Sequence, residues 1–252
     1  MNKLKEILLN NEHLKVEKHP LRGCIYYLII TFFAQFFIDN TFYAMCLVDL
    51  LMYLFVFIRR TVSPIKHPVY TVSTWLTSFL TVFCLILTTY CWSRWYMVTV
   101  ADTSSLKYAA SMSEADTLIY LFMIAIAAPL GEESLFRYIV LNGFFHMFRN
   151  TKEPIKYSFS IVFSAVLFGA MHGTGVHLIV GFFCGLALAL IYCTTNKLYL
   201  AMILHSLYNI GTLFIYVPSS LWLCITLTVI SLILTGISIY NLSCQQLKIP
   251  SV

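Results

Sequence analysis

Two adjacent glutamates followed by an arginine, Glu132-Glu133-x-x-x-Arg137, lie inside a stretch of chain that is otherwise apolar. Two later apolar stretches carry Phe168-x-x-x-His172 and His205-x-x-x-Asn209. Carboxylates and imidazoles move protons near neutral pH, and an amide N–H can donate to developing negative charge. Hydrolysis needs such a set: a base to take a proton from water, and donors for the oxyanion that follows. A carboxylate kept from bulk water also holds a proton more readily than a solvated one. The same residue types supply nitrogen and oxygen ligands for zinc, so a metal-assisted reaction is the alternative, although the His-Glu-x-x-His spacing is missing. Ser134 and Ser206 stand beside these motifs without the elbow context of a serine nucleophile.

Spacing divides the labour. Glu133 and Arg137 are four apart, so on a helix they share a face and are expected to form an ion pair. Glu132 is rotated from Glu133 by about 100° and is left free to act as acid or base. Phe168 with His172, and His205 with Asn209, are likewise stacked on single faces. A charged residue at the centre of a membrane helix costs about 2.5–3.5 kcal/mol on translocon scales, whereas each Leu, Ile, Phe or Val returns only about 0.3–0.6 kcal/mol. The cluster must therefore face other helices or a water-filled cavity. The competing reading is structural, with charges that only pin helices together.

The elements that position these residues follow from composition. Of 252 residues, 60% are apolar and 11% are charged, far fewer charges than the quarter or so that a soluble domain carries. Long apolar runs imply spans of a bilayer. The expected fold is all-α, a polytopic membrane helix bundle of about eight transmembrane helices. The spans are expected near 24–41, 42–58, 72–91, 117–148, 157–171, 176–194, 198–216 and 220–240. The first two form a hairpin turning at Asp39-Asn40, and the fourth is bent or broken. Trp92-Ser93-Arg94-Trp95-Tyr96 marks the exit of the third span, and a polar loop is expected over 101–116. His172-Gly173-Thr174-Gly175, Asn196-Lys197 and Pro218-Ser219-Ser220 are the later joints.

The formal charge is +5. Of the sixteen Lys and Arg residues, all but Arg94, Lys107 and Arg137 fall on segments of one side if the N-terminus is inside. Both termini are thus expected to be cytoplasmic. Residues 1–22, with Leu4, Ile7, Leu8, Leu14 and Val16 among lysines, suit an amphipathic segment on an anionic bilayer surface or a solvated basic tail. The basic balance does not indicate nucleic acid, because most of the length is apolar, and no cleavable signal peptide is evident. Eight cysteines are scattered without a Cys-x-x-Cys pair, so they read as small hydrophobes rather than as a disulfide scaffold or zinc site. Gly181-x-x-x-Gly185 reads as a close helix contact. His177 reads as an interfacial residue and His146 as a residue beside the inner loop.

The ordered set Glu132-Glu133-x-x-x-Arg137, Phe168-x-x-x-His172 and His205-x-x-x-Asn209 resembles the three-motif signature of the CPBP family, the type II CAAX proteases and bacteriocin-processing (Abi) membrane proteins. The resemblance spans about 120–215, and residues 1–100 carry none of it. It implies a catalytic core of membrane helices around a conical, cytosol-accessible cavity. With the apolar runs, the chain is expected to divide into 1–22 (basic), 23–116 (first three spans and outer loop), 117–217 (core) and 218–252 (last span and tail). It implies an intramembrane endopeptidase in which Glu132 activates water, His172 holds that water, and His205 and Asn209 stabilise the oxyanion. Glu133, Arg137 and Phe168 would support them. No metal or other cofactor is implied, with zinc as the alternative.

The partners implied are the lipid bilayer and a membrane-associated peptide or protein substrate. The compact chain resembles the bacterial branch, which suggests a bacterial cell membrane and peptide processing or bacteriocin self-immunity. Maturation of prenylated CAAX proteins is the alternative within the family. A non-catalytic immunity or scaffold protein is the alternative outside it. A transporter is disfavoured by the lack of an internal repeat.

Overall fold

The computed structural model describes residues 20–59, 71–99, 113–214 and 220–246. Residues 1–19 of the expected amphipathic segment over 1–22 and most of the polar loop over 101–116 lie outside the described residues. Eight helices are seen among those described: α1 Pro20–Phe37, α2 Thr41–Arg59, α3 Val72–Thr99, α4 Glu114–Met147, α5 Glu153–Met171, α6 Val176–Thr195, α7 Leu198–Phe214 and α8 Leu221–Gln246. Six are long and apolar enough to cross a membrane, and α1 and α7 are shorter apolar helices. The chain is an all-α, multi-pass integral membrane protein.

Several boundaries depart from the sequence expectation: α1 runs Pro20–Phe37 rather than 24–41, and α5 begins at Glu153 rather than 157, because Glu153 and Pro154 suit a first helical turn. α3 continues to Thr99, past the Trp92–Tyr96 belt, because aromatic residues mark depth in a bilayer without ending a helix. α4 begins at Glu114, so the loop ends before 116. Ser113 caps it by accepting a hydrogen bond from the Asp116 amide, with Glu114 and Asp116 in the first turn, where acidic groups suit the helix dipole. α8 runs on to Gln246. The hairpin turn at Asp39-Asn40 is as expected. Asn40 accepts from the Phe42 amide at 3.0 Å and donates to Asp116 at 2.7 Å, tying the start of α2 to the start of α4.

Polarity is arranged inside out, as a membrane demands. α8 turns Leu223, Ile225, Val229, Ile233 and Ile237 outward and buries Ser231, Thr235, Ser238 and Ser243. Lipid gives apolar side chains no reason to hide, so small residues and hydroxyl pairs make the helix contacts. α6 is the most interior span. It meets α5 almost backbone to backbone. A Cβ at Gly169 would lie 2.6 Å from the Leu178 carbonyl oxygen, one at Gly181 2.9 Å from Gly169 Cα, and one at Gly185 3.0 Å from Ala165 Cα. The Gly181-x-x-x-Gly185 reading holds. α5, which ends in His172, is thereby fixed on a rigid surface.

Candidate active site

The glutamate motif sits on a short α-helical piece of α4, Ala128–Glu133, between two π-helical runs, Met123–Ala127 and Ser134–Leu141. Pro129 explains the first run. It has no N–H for the Ala125 carbonyl and crowds that position, and the Ala128 amide bonds back five residues to Met123. The carbonyls so released are met from α7: Ser206 Oγ donates to Ala125 O at 2.5 Å, and Asn209 Nδ2 donates to Ile124 O at 2.8 Å. The helix that the sequence marked as bent or broken is therefore continuous, rewound at a site where π turns commonly carry function.

The rewound helix brings the predicted residues together. Glu133 is fully buried. Its Oε2 accepts from Arg137 Nε at 2.8 Å, and its Oε1 accepts from His205 Nδ1 at 3.0 Å. Arg137 Nη1 donates to Ser164 at 3.3 Å, and its Cζ lies 5.1 Å over the Phe168 ring. Phe168 is the common wall. Its ring centroid is 4.5 Å from that of His172, 5.7 Å from that of His205 and 4.9 Å from that of Phe136.

Glu132 faces the gap. Its Oε2 lies 3.6 Å from His172 Nε2 and 4.0 Å from His205 Nε2, too far for direct hydrogen bonds but close enough for all three groups to act on one atom among them. That oxygen has no hydrogen-bond partner within the protein. His172 Nδ1 meets the Phe168 carbonyl at 2.7 Å, and His205 Nδ1 meets the Glu133 carboxylate. Both partners are acceptors, so both rings hold a proton on Nδ1 and turn Nε2 toward Glu132. The side chain of His172 is 36% exposed against 15% for Glu132, so access is from the His172 side.

The structure brings Glu132, Glu133, Arg137, Phe168, His172 and His205 into one cluster. Asn209 is on the same helix as His205 but commits one amide hydrogen to Ile124, leaving the other free. Ser206 spends its hydroxyl on the backbone. His146 pairs with Arg149 Nη1 at 2.9 Å, and His177 packs edge-on to Tyr96 at 5.2 Å; neither enters the cluster. Among the described residues no group of three or more His, Cys, Asp and Glu is placed to hold a metal ion.

Sequence reasoning missed Asp49. It is fully buried on α2, accepts from Tyr27 of α1 at 2.8 Å, and has no partner for Oδ2. It lies against Gly131, the residue before Glu132, where an added Cβ would collide with the Asp49 backbone. The signal was available, since an acid inside an apolar span carries the same penalty that singled out Glu132. Gly131→Ala is expected to destabilise the protein by about 1–3 kcal/mol through overpacking, read as a lower melting temperature in detergent.

Residues 114–211 match the family model described as Rce1-like, type II CAAX prenyl endopeptidase. The matched segment contains all three motifs and supports the CPBP family for this chain. No curated protein and no solved structure matches it.

Proposed function

We propose that the chain hydrolyses a peptide bond of a membrane-proximal substrate with a water activated by Glu132. The observation that carries this reading is the buried, unpartnered Glu132 Oε2, held within 4.0 Å of two imidazole Nε2 atoms, one of them on the partly exposed His172. A water held between Glu132 and the two imidazoles gives its proton to Glu132 as its oxygen attacks the scissile carbonyl. His172 orients that water. His205, once protonated on Nε2 as well, donates to the oxyanion, and the second Asn209 hydrogen joins it. Glu133 accepts from Nδ1–H and so fixes the ring with Nε2 toward the site. Glu132 then returns the proton to the leaving amine.

For the substrate, two observations favour a lipid-bearing peptide over the bacteriocin or pheromone precursor that chain compactness suggests. The matching family is described as a prenyl endopeptidase. An almost wholly apolar pocket of about 340 Å³ lies between α1 and α2, lined by Gly23, Tyr26, Ile30, Val48, Met52 and Ile139. Val48 and Met52 flank Asp49, which packs on the glutamate motif.

The test uses purified protein in detergent or vesicles with a prenylated C-terminal peptide and its unmodified twin. Cleavage of the prenylated form is expected to be the faster and to persist after exhaustive chelation. Stoichiometric zinc in the purified protein, with activity lost on chelation, would replace water activation by glutamate alone with a metal mechanism. Equal rates on both peptides would remove the lipid preference and leave the peptidase reading in place.

A further inference from the structure

Cys91 and Cys224 come from α3 and α8, yet their Sγ atoms stand 3.0 Å apart. Both residues are fully buried. The contact lies beside a polar seam between the two helices. Thr74 meets Gln245, and Thr77 meets Asn241 at 3.4 Å. Thr81 meets Ser238 at 2.7 Å, Thr88 meets Ser231 at 2.8 Å, and the Trp92 indole donates to Thr228 at 3.0 Å. As positions on α3 rise, their partners on α8 fall, so the two helices run antiparallel with one polar seam each. Cys91 and Cys224 meet at the end of this seam, about one helical turn beyond its register, which pairs the neighbouring Trp92 with Thr228. The hydroxyl pairs hold α3 and α8 together beside the two sulfurs.

We propose that Cys91 and Cys224 are joined by an intramolecular disulfide in the mature protein. A bonded pair needs the sulfurs at about 2.0 Å, about 1 Å closer than they stand. The reaction is thiol–disulfide exchange with an oxidised protein dithiol as the electron acceptor. The thiolate of one cysteine attacks a sulfur of that acceptor's disulfide, forming a mixed disulfide and releasing the other acceptor sulfur as a thiolate. The second cysteine, also as thiolate, attacks the first cysteine's sulfur. This forms the Cys91–Cys224 bond and expels the remaining acceptor sulfur. The acceptor leaves as a dithiol, carrying both electrons and, after protonation, both hydrogens.

Both sulfurs are enclosed once the bundle is packed, so exchange precedes the docking of α8 on α3. The pair lies at the aromatic end of α3 and the first turns of α8, near one rim of the bundle. The bond also braces the site. Tyr90, beside Cys91, donates its hydroxyl to the Tyr208 carbonyl at 3.0 Å, one residue before Asn209 on α7.

The test is made on the full chain, isolated without reductant and alkylated in denaturant. Intact mass is expected to show every cysteine but Cys91 and Cys224 alkylated, with digestion yielding one peptide pair that separates on reduction. Alkylation of both Cys91 and Cys224, or linkage of either to another cysteine, would overturn the proposal. Melting temperature gives a second reading. A membrane-permeant reductant is expected to lower that of the wild type and leave Cys91→Ser/Cys224→Ser unmoved. Equal shifts in both proteins would count against the bond.

Discussion

Glu132→Gln is expected to lower peptide hydrolysis by about 10²–10⁴, the range of general acid–base catalysis, and to leave the assembled protein's stability nearly unchanged. The amide keeps the shape of the side chain but cannot take a proton from water. The loss corresponds to roughly 3–5 kcal/mol of transition-state stabilisation. Stability is spared because Glu132 Oε2 makes no hydrogen bond within the protein, so replacing it orphans no buried partner. Glu133→Gln should behave differently, since its carboxylate holds both Arg137 and His205. Turnover and melting temperature measured on the two variants decide the matter. Equal effects on both would show that the division of labour between adjacent glutamates is wrong.

That division was partly legible in the sequence. The four-residue spacing gave the Glu133–Arg137 pair, because it depends only on helix geometry. The second bond of Glu133, to His205 on α7, could not be read, since it crosses 72 positions and depends on how α4 and α7 pack. Breaks in the apolar pattern gave the joints at Asp39-Asn40, His172–Gly175 and Asn196-Lys197. They gave the ends of α3 and α8 less well, because polar and aromatic residues at a bilayer surface are compatible with helix. The partners on which α7 spends Ser206 and Asn209 were also hidden. They follow from Pro129, whose missing N–H turns two nearby side chains into backbone donors. The Thr and Ser seam between α3 and α8 left no trace in hydropathy, as hydroxyls cost a membrane helix little beside a charge.

Arg137→Ala should be the most damaging change to folding, costing about 3–5 kcal/mol, because it leaves the Glu133 carboxylate buried beside a histidine with its guanidinium gone. Arg137 and Glu133 are both fully buried, so water cannot replace the lost partner. The double change Glu133→Gln/Arg137→Met removes both charges and keeps side-chain bulk against Phe168. It is expected to regain most of the stability lost by the single variant, since a buried ion pair is often matched by well-packed neutral residues. Activity should not return with it. The neutral amide that Glu133→Gln introduces can accept from His205 Nδ1–H, but it sets no negative charge beside the ring that donates to an oxyanion. Melting temperature and turnover should therefore part company in the double variant. Recovery of both together would mean that the Glu133–His205 bond is scaffolding, and that the charge on His205 has no part in the chemistry.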